Sequence, residues 1–413
     1  MRSCRHCASS ATAIPSSPSS PARVAATSTS NLPEPADAAK ESSRELSRRI
    51  AAEIDAGGGW LSFARYMELA LHCPGLGYYG GGAQKFGARD EGGDFVTAPE
   101  LTPLFGQTLG VQVGQVMAAS EPALLEVGAG SGRLAADLLS ALAAQGRLPD
   151  RYLILELSGE LRARQRDTIA AASPGLLDRV AWLDRLPEAF SGCVVANELL
   201  DAMPVHALAW REEGLRERGV TIADDRFAWS ERPAPGYLAQ AAGALPVVAP
   251  YESEIGLAAA GWVAEWGRRL ERGALLLLDY GLPRHEYYHP GRNGGTLRCH
   301  YRHRAHDELF AWPGLSDITA HVDFTAVAEA GHGAGLEVLG YTSQASFLIN
   351  LGLGELLAAR RAADESSGLR AAGAVQMLIS PNEMGELFKV IALGRGITEP
   401  LRGFVRGDRT HTL

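Results

Sequence analysis

A doubly wound α/β domain, built on a largely parallel sheet with helices on both faces, is the fold class this sequence predicts. Two observations predict it: short apolar runs recur along the chain, and longer stretches of helical periodicity separate them. The runs are Leu124 to Val127, Leu153 to Leu157, Val194 to Ala196 and Ala274 to Leu278. Unbroken apolar character suits strands buried on both faces, and intervening helices supply the crossovers that parallel strands need. With 413 residues, 46% apolar and 21% charged, the chain has a globular balance and can bury a substantial core.

Taken in order, residues 1–37 predict a disordered tail. Residues 1–33 are rich in Ser, Ala, Thr and Pro and contain no Asp or Glu. Arg2, Arg5 and Arg23 among the serines allow an organellar transit peptide and hence the mitochondrial matrix. An upstream extension of an Ala-, Gly- and Arg-rich bacterial sequence, with a cytoplasmic location, is the preferred alternative. Residues 38–120 predict a helical cap and a lid. Leu46, Ile50 and Ile54 recur at helical spacing until Gly57-Gly58-Gly59 ends that helix, and a second helix around Ser62 to Leu71 runs into the glycine-rich stretch Gly75 to Gly93.

Residues 121–400 predict the α/β core, with insertions after the fourth and fifth strands. The first, about 205–250, reads as a β-hairpin region with Pro-rich Arg232 to Pro235. The second, about 283–322, is rich in His and Arg and reads as a long loop near the strand ends, where substrate contacts concentrate. Met384 to Val390 reads as a final strand with its lead-in turn.

The balance of 39 Lys and Arg against 48 Asp and Glu, net −9, gives no general attraction to nucleic acid or to an anionic membrane. No apolar run approaches the roughly 20 residues of a membrane-spanning helix, so membrane insertion is not expected. Cys4, Cys7, Cys73, Cys193 and Cys299 are odd in number and scattered, which fits a reducing compartment. Cys4 and Cys7 form one C-x-x-C without the second pair a zinc ribbon needs.

The most informative segment is Leu124-Leu125-Glu126-Val127-Gly128-Ala129-Gly130-Ser131-Gly132-Arg133, a strand, a glycine turn and a helix start. A dinucleotide fingerprint requires a small residue where Arg133 stands. With G-x-G-x-G spacing and Glu126 two residues ahead, the loop resembles that of class I S-adenosylmethionine methyltransferases, in which backbone approaches the methionine part of the cofactor. Glu156 ends the next apolar run, where a carboxylate suits bidentate hydrogen bonding to ribose hydroxyls. Asp184, after Val180 to Leu183, stands where this class often contacts adenine. The bland alternative is a strand-to-helix turn with glycines for packing alone.

Asn197-Glu198-Leu199-Leu200-Asp201 follows the fourth strand, where an α/β domain of this type places the reacting group. If the acceptor is a guanidinium, paired acids such as Glu198 and Asp201 are the expected equipment. They grip its N–H donors in a fixed fork and aim one nitrogen at the sulfonium methyl. The competing structural reading has Asp201 capping a following helix and Glu198 pairing with a basic neighbour.

Further motifs extend the resemblance. Gly77-Tyr78-Tyr79, Gly93 to Glu100, Leu104-Phe105-Gly106, Leu155 to Ser158, Asn197-Glu198, Asp201 to Pro204, Asp279-Tyr280-Gly281, Gly295 to Arg298, Asp317 to Phe324, Met384-Gly385 and Phe388-Lys389-Val390 occur in order. Together, over about residues 45–395, they resemble the mitochondrial complex I assembly factor 7-type arginine methyltransferases and their bacterial homologues. The resemblance implies the class I methyltransferase fold, S-adenosylmethionine as methyl donor and a protein carrying an acceptor arginine as partner. It supplies no acceptor for bacterial members and leaves oligomeric state open, a homodimer included. A cofactor-binding assembly factor without turnover and a small-molecule methyltransferase remain the alternatives. Within Gly93 to Glu100, a mixed turn of Gly, Asp, Thr and Pro, Thr97 and Pro99 are candidate lid contacts over the cofactor.

His285-Glu286-Tyr287-Tyr288-His289 spells the H-E-x-x-H of zinc peptidases. Pro290 pushes His289 out of the helical region, so the two imidazoles cannot share a helix face and no metal site is expected. His321 and Asp323 sit in a matched motif and are candidates to orient the substrate loop, against a buried hydrogen-bonded histidine as the commoner outcome.

Overall fold

The computed structural model describes residues 32–81 and 97–413. Residues 1–31 of the expected disordered tail, with Cys4 and Cys7, and residues 82–96, which hold the Gly93 to Val96 part of the expected lid, lie outside the described residues.

The central sheet has eight strands, of which seven make its main path: β1 (Ala123–Val127), β2 (Arg151–Leu155), β3 (Val180–Leu183), β4 (Phe190–Asn197), β5 (Leu270–Leu282), β6 (Glu337–Ser343) and β7 (Phe388–Arg395); the eighth, Val322–Asp323, pairs in parallel with β5. Their spatial order is β6-β7-β5-β4-β1-β2-β3, a doubly wound arrangement. β5, β4, β1, β2 and β3 pair in parallel, and β7 runs antiparallel between β5 and β6. Residues of opposite parity along β1, β4 and β5 enter two different apolar clusters, one under each face. This two-sided burial explains why these strands read as unbroken apolar runs. Helices Pro103–Ala119 and Arg133–Ala144 cover one face; Leu257–Arg269 and Phe324–Gly333 cover the other.

Helix Asp37–Ala56 presents Leu46, Ile50 and Ile54 inward and ends at Gly57. Helix Phe63–His72 starts from Ser62, whose hydroxyl accepts from Arg65 N at 3.2 Å. Two sequence expectations need correction. The 205–250 region is more than a hairpin: strands His206–Arg211, Gly214–Ala223 and Arg226–Pro233 form a meander that continues to Tyr251–Ile255 and Leu61–Ser62. The 283–322 region is not a loop, for it carries the three-stranded sheet Arg304–His306, Arg298–Tyr301 and Asp317–Thr319. Cys299 and Ile318 point into the core under the cap, but strands of three or four residues are too short for periodicity to stand out. The turn expected before β7 is the short helix Met384–Leu387.

The cap helices share one core with both insertions. Ile50, Phe63, Tyr66 and Met67 pack with Val220 of the meander and with Cys299 and Ile318 of the small sheet. That shared core stands at the carboxyl ends of β1, β4 and β5, and a large cavity lies between it and the sheet.

Candidate active site

The cavity has a volume of about 1070 Å³. Its floor is the turn after β1, with Glu126, Gly128, Ala129, Gly130 and Ser131 in the lining. Gly128, Gly130 and Gly132 have φ of 71°, 52° and 84°, backbone that favours glycine. Gly132 starts helix Arg133–Ala144 and does not line the cavity; a Cβ there would stand 2.8 Å from Gln165 Cα. Gln165, fully buried, donates to Gly130 O and to Glu156 Oε2, both at 3.1 Å, and so ties the glycine turn to the carboxylate after β2.

Glu156 also accepts from Ser158 N at 2.9 Å. Burial raises its pKa against these donors. β2 ends at Leu155, so Glu156 and exposed Leu157 lie beyond the strand and line the cavity mouth. A carboxylate in this position can take two vicinal hydroxyls. Glu126, on β1 itself, is buried and accepts from the Tyr152 hydroxyl at 2.6 Å; desolvation pushes its carboxyl up to about 7.

Opposite the glycine turn, the segment after β4 carries Asn197, Glu198 and Asp201 into the same cavity. Glu198 is held at φ 53°, a left-handed conformation uncommon for a non-glycine residue. Its N–H donates to Leu278 O at 2.9 Å, and its Oε1 accepts from Asn197 Nδ2 at 3.0 Å and Ala98 N at 3.4 Å. The turn is gathered by Asp279, at the buried end of β5: its Oδ2 accepts from the N–H groups of Leu199, Leu200 and Asp201 at 3.1, 2.8 and 3.3 Å. Its Oδ1 accepts from Tyr280 N at 2.9 Å.

Burial pushes Glu198 up to about 8, with Asp201 adding to it, and Asp201 up to about 6. Asp279 is raised too, by burial first and then by its two acidic neighbours. Among the described residues Glu198, Asp201 and Asp279 enter no ion pair. Buried carboxylates gathered this way favour the approach of a cation. Among the described residues, two buried polar atoms of the lining also lack a hydrogen-bond partner: Asn197 Oδ1 and His321 Nδ1. Groups left this way in a native fold await a ligand or water.

Comparison with known proteins bears on what that ligand is. A family model described as "Putative S-adenosyl-L-methionine-dependent methyltransferase" matches residues 108–342. The chain belongs to this methyltransferase family. A Burkholderia thailandensis structure bound to S-adenosyl-homocysteine is similar to this chain at 54% identity and TM-score 0.90, covering 93% of this chain and 100% of that one. Two relatives are named protein arginine methyltransferase NDUFAF7, mitochondrial. The Danio rerio protein is 30% identical, with 85% of this chain and 87% of the relative covered. The Mus musculus protein is 31% identical, with 81% of each covered. The protein is therefore an S-adenosylmethionine-dependent methyltransferase of the class I fold.

The methyltransferase's cavity brings together most of the residues that the sequence singled out. Thr97, Pro99, Glu126, Gly128, Ala129, Gly130, Glu156, Asn197, Glu198 and Asp201 all line it. Asp184 does not: it is exposed just past β3, the outermost strand on its side, and stands outside the lining. Asp201 caps no helix, because a turn follows it; Asp279 takes its N–H instead. His289 leaves the short helix Arg284–Tyr287 at ψ 137° and accepts from Gly291 N, so the H-E-x-x-H histidines share no face. His321 lines the cavity with its imidazole pushed down to about 4 by burial, and Asp323 caps helix Phe324–Gly333 by accepting from Thr325 and Ala326 N.

Sequence reasoning missed Gln165, Tyr152 and Asp279 as supports of the site. Gln165 had a signal: it lies four residues before Ile169, and these two are the buried positions of helix Gly159–Ala172.

Proposed function

We propose that this methyltransferase transfers a methyl group to a guanidinium nitrogen of an arginine in a protein acceptor. The observation that carries the reading is the buried acidic turn of Glu198 and Asp201, neither in an ion pair among the described residues, facing the glycine turn across one cavity. A guanidinium offers five N–H donors in a planar fork and stays charged at neutral pH, which matches two convergent carboxylates. The names of the mitochondrial relatives support the same substrate class.

For the cofactor, the residues proposed are Gly128, Ala129 and Gly130 beside its methionine part, Glu156 at the ribose hydroxyls, and Thr97 and Pro99 over it. Gly132 serves through packing, and Glu126 supports the turn from below. The fit is chemical: left-handed glycines permit close backbone approach, and Glu156 offers a carboxylate where a nucleoside needs one.

When bound, the cofactor supplies a methyl group on a sulfonium sulfur. The acceptor nitrogen forms the new N–C bond as the S–C bond breaks, leaving a neutral thioether, and one proton must leave that nitrogen. Glu198 and Asp201 localise the guanidinium charge away from the attacking nitrogen. Burial holds Glu198 mostly protonated near neutral pH in the empty pocket, and arrival of the cation favours its ionised form, which can then accept the proton. Among the described residues no helix is long and apolar enough to cross a membrane. We place the protein's work in a bacterial cytoplasm, with the Burkholderia relative as support.

The test is methyl transfer from labelled S-adenosylmethionine by purified protein to a cognate lysate, with mass spectrometry of the modified residues. Labelled arginine is the expected result, lost in Glu198→Gln with S-adenosylhomocysteine binding retained. Label confined to lysine or to small metabolites overturns the reading.

A further inference from the structure

The lining of the large cavity changes sign beyond the acidic turn. Past Glu198 and Asp201 it runs through Tyr280 to His321, Arg292 and Arg298. Tyr280 stands between the two parts: its hydroxyl hydrogen-bonds to Asp201, and its ring meets the His321 imidazole edge-on, with centroids 5.4 Å apart. His321 is fixed by its backbone N–H, which donates to Thr296 Oγ1 at 3.1 Å, and its buried Nδ1 has no hydrogen-bond partner among the described residues. After burial itself, the charges that act on this imidazole are those of Arg292, Arg298 and Lys389, all of one sign.

The three cations are not equally engaged. Lys389 is buried and pairs with Glu386, its Nζ 3.6 Å from Oε1. Arg298 pairs with Asp307 at the surface. Arg292, partly buried on the short turn Pro290–Arg292, enters no ion pair among the described residues. Its Nη1 donates to Glu286 O, a neutral acceptor that orients the guanidinium without cancelling its charge. Two carboxylates of the same region are engaged elsewhere. Glu254 stands outside the lining and accepts from the Thr296 N–H and hydroxyl at 2.9 and 3.0 Å, and Asp317 accepts from the Tyr79 hydroxyl at 3.0 Å. A guanidinium in a cavity wall, beside a neutral imidazole and with no carboxylate in an ion pair with it, offers a forked donor set to an anion.

We propose that Arg292 anchors an anion subsite that takes an acidic side chain of the acceptor protein, close in sequence to the arginine held by Glu198 and Asp201. This rests on the reading that the acceptor is a protein arginine. A carboxylate is the anion an unmodified protein carries, and a guanidinium binds it in a bidentate fork. One aromatic side chain separates the two parts of the cavity and each peptide step spans about 3.8 Å, so the acidic residue falls within about three positions of the methylated one. An arginine flanked there by lysine meets Arg292 as a like charge and is rejected. The cofactor also carries a carboxylate, but the glycine turn proposed for its methionine part follows β1, and β4 lies between β1 and β5. Two strand spacings, about 10 Å, thus separate that turn from the end of β5, where Tyr280 meets His321.

The experiment measures binding of a capped polyalanine peptide with one central arginine to the full chain saturated with S-adenosylhomocysteine. Aspartate is placed in turn at each of the three positions on either side, and lysine at the position that binds best. Wild type is expected to bind one aspartate peptide at least fivefold tighter than the alanine parent, and the matching lysine peptide more weakly than the parent. Arg292→Gln should bring the aspartate advantage below twofold, and Arg292→Glu should turn it in favour of lysine. Arg292→Lys, which keeps the charge but not the fork, should at least halve the advantage, and it decides alone if Arg292→Gln fails to fold. An advantage absent from wild type, or surviving Arg292→Gln, overturns the subsite; the arginine reading then stands if citrulline in place of the central arginine weakens the parent. If citrulline binds as arginine does while an aspartate advantage persists and depends on Arg292, the subsite stands and the arginine reading falls. A tenfold loss of S-adenosylhomocysteine affinity in Arg292→Gln assigns Arg292 to the cofactor and overturns the proposal. Failure of every peptide to bind at millimolar concentration overturns both.

Discussion

Gly132→Ala separates two reasons for a glycine in the turn that begins helix Arg133–Ala144. At φ 84° an alanine occupies the left-handed region, at a cost of about 1–2 kcal/mol. Its Cβ would also stand 2.8 Å from Gln165 Cα and 3.1 Å from Gln165 O, backbone that cannot swing aside. Overpacking of this sort costs about 1–3 kcal/mol more, giving about 2–5 kcal/mol in all. Gly146 supplies the control: its φ is 65°, yet a Cβ there meets nothing within 4 Å, so Gly146→Ala should lose only about 1–2 kcal/mol. Urea unfolding of both variants measures the difference. Because Gln165 also holds Gly130 O and Glu156, pushing it away should weaken S-adenosylhomocysteine at least tenfold by calorimetry, about 1.4 kcal/mol, while Gly146→Ala leaves binding untouched. Equal stability losses in the two variants, or unchanged binding in Gly132→Ala, would refute the reasoning.

Glu198→Gln should change the pH dependence of stability with a defined sign. The folded pKa, about 8, lies above the ordinary 4.5, so the carboxyl's contribution is full below pH 4.5 and is lost as pH rises toward 8. Wild type and variant should thus match at low pH, with the variant gaining across that window up to a ceiling of about 5 kcal/mol; urea titrations at intervals between pH 4 and 9 would expose a flat difference as failure. Tyr152→Phe removes the donor to Glu126 at 2.6 Å and should cost about 1–3 kcal/mol at neutral pH, with less loss at low pH, where Glu126 is protonated. His289→Ala and a zinc chelator should each leave methyl transfer within twofold of wild type, since His289 faces away from His285's helix; inhibition by the chelator would contradict the geometry.

Legibility in the sequence followed locality. β1 and its glycine turn could be read because a buried strand and a left-handed turn each impose a residue type within a few positions. Glu156 was readable for the same reason, one residue past a strand. Asp184 follows the same rule but stands outside the cavity lining, because β3 lies at the sheet edge. Asp279 carries no local mark of its work: its partners at Leu199 to Asp201 lie some 80 residues earlier, and only the pairing of β4 with β5 joins them. The small sheet after β5 was hidden by brevity, and with it the placement of Asp317 and Thr319 in the cavity wall.

The turn held by Asp279 has one more neighbour. Leu199, whose N–H it accepts, reaches toward the glycine turn, where a Cβ on Gly128 would stand 3.1 Å from Leu199 Cδ1. The acidic turn and the glycine turn are thus close neighbours, and a ligand that shifts one is expected to shift the other. Such linkage is reciprocal: whatever factor the cofactor adds to acceptor affinity, the acceptor returns to the cofactor. The two substrates should therefore behave kinetically as a coupled pair, with the apparent KM of each depending on the concentration of the other.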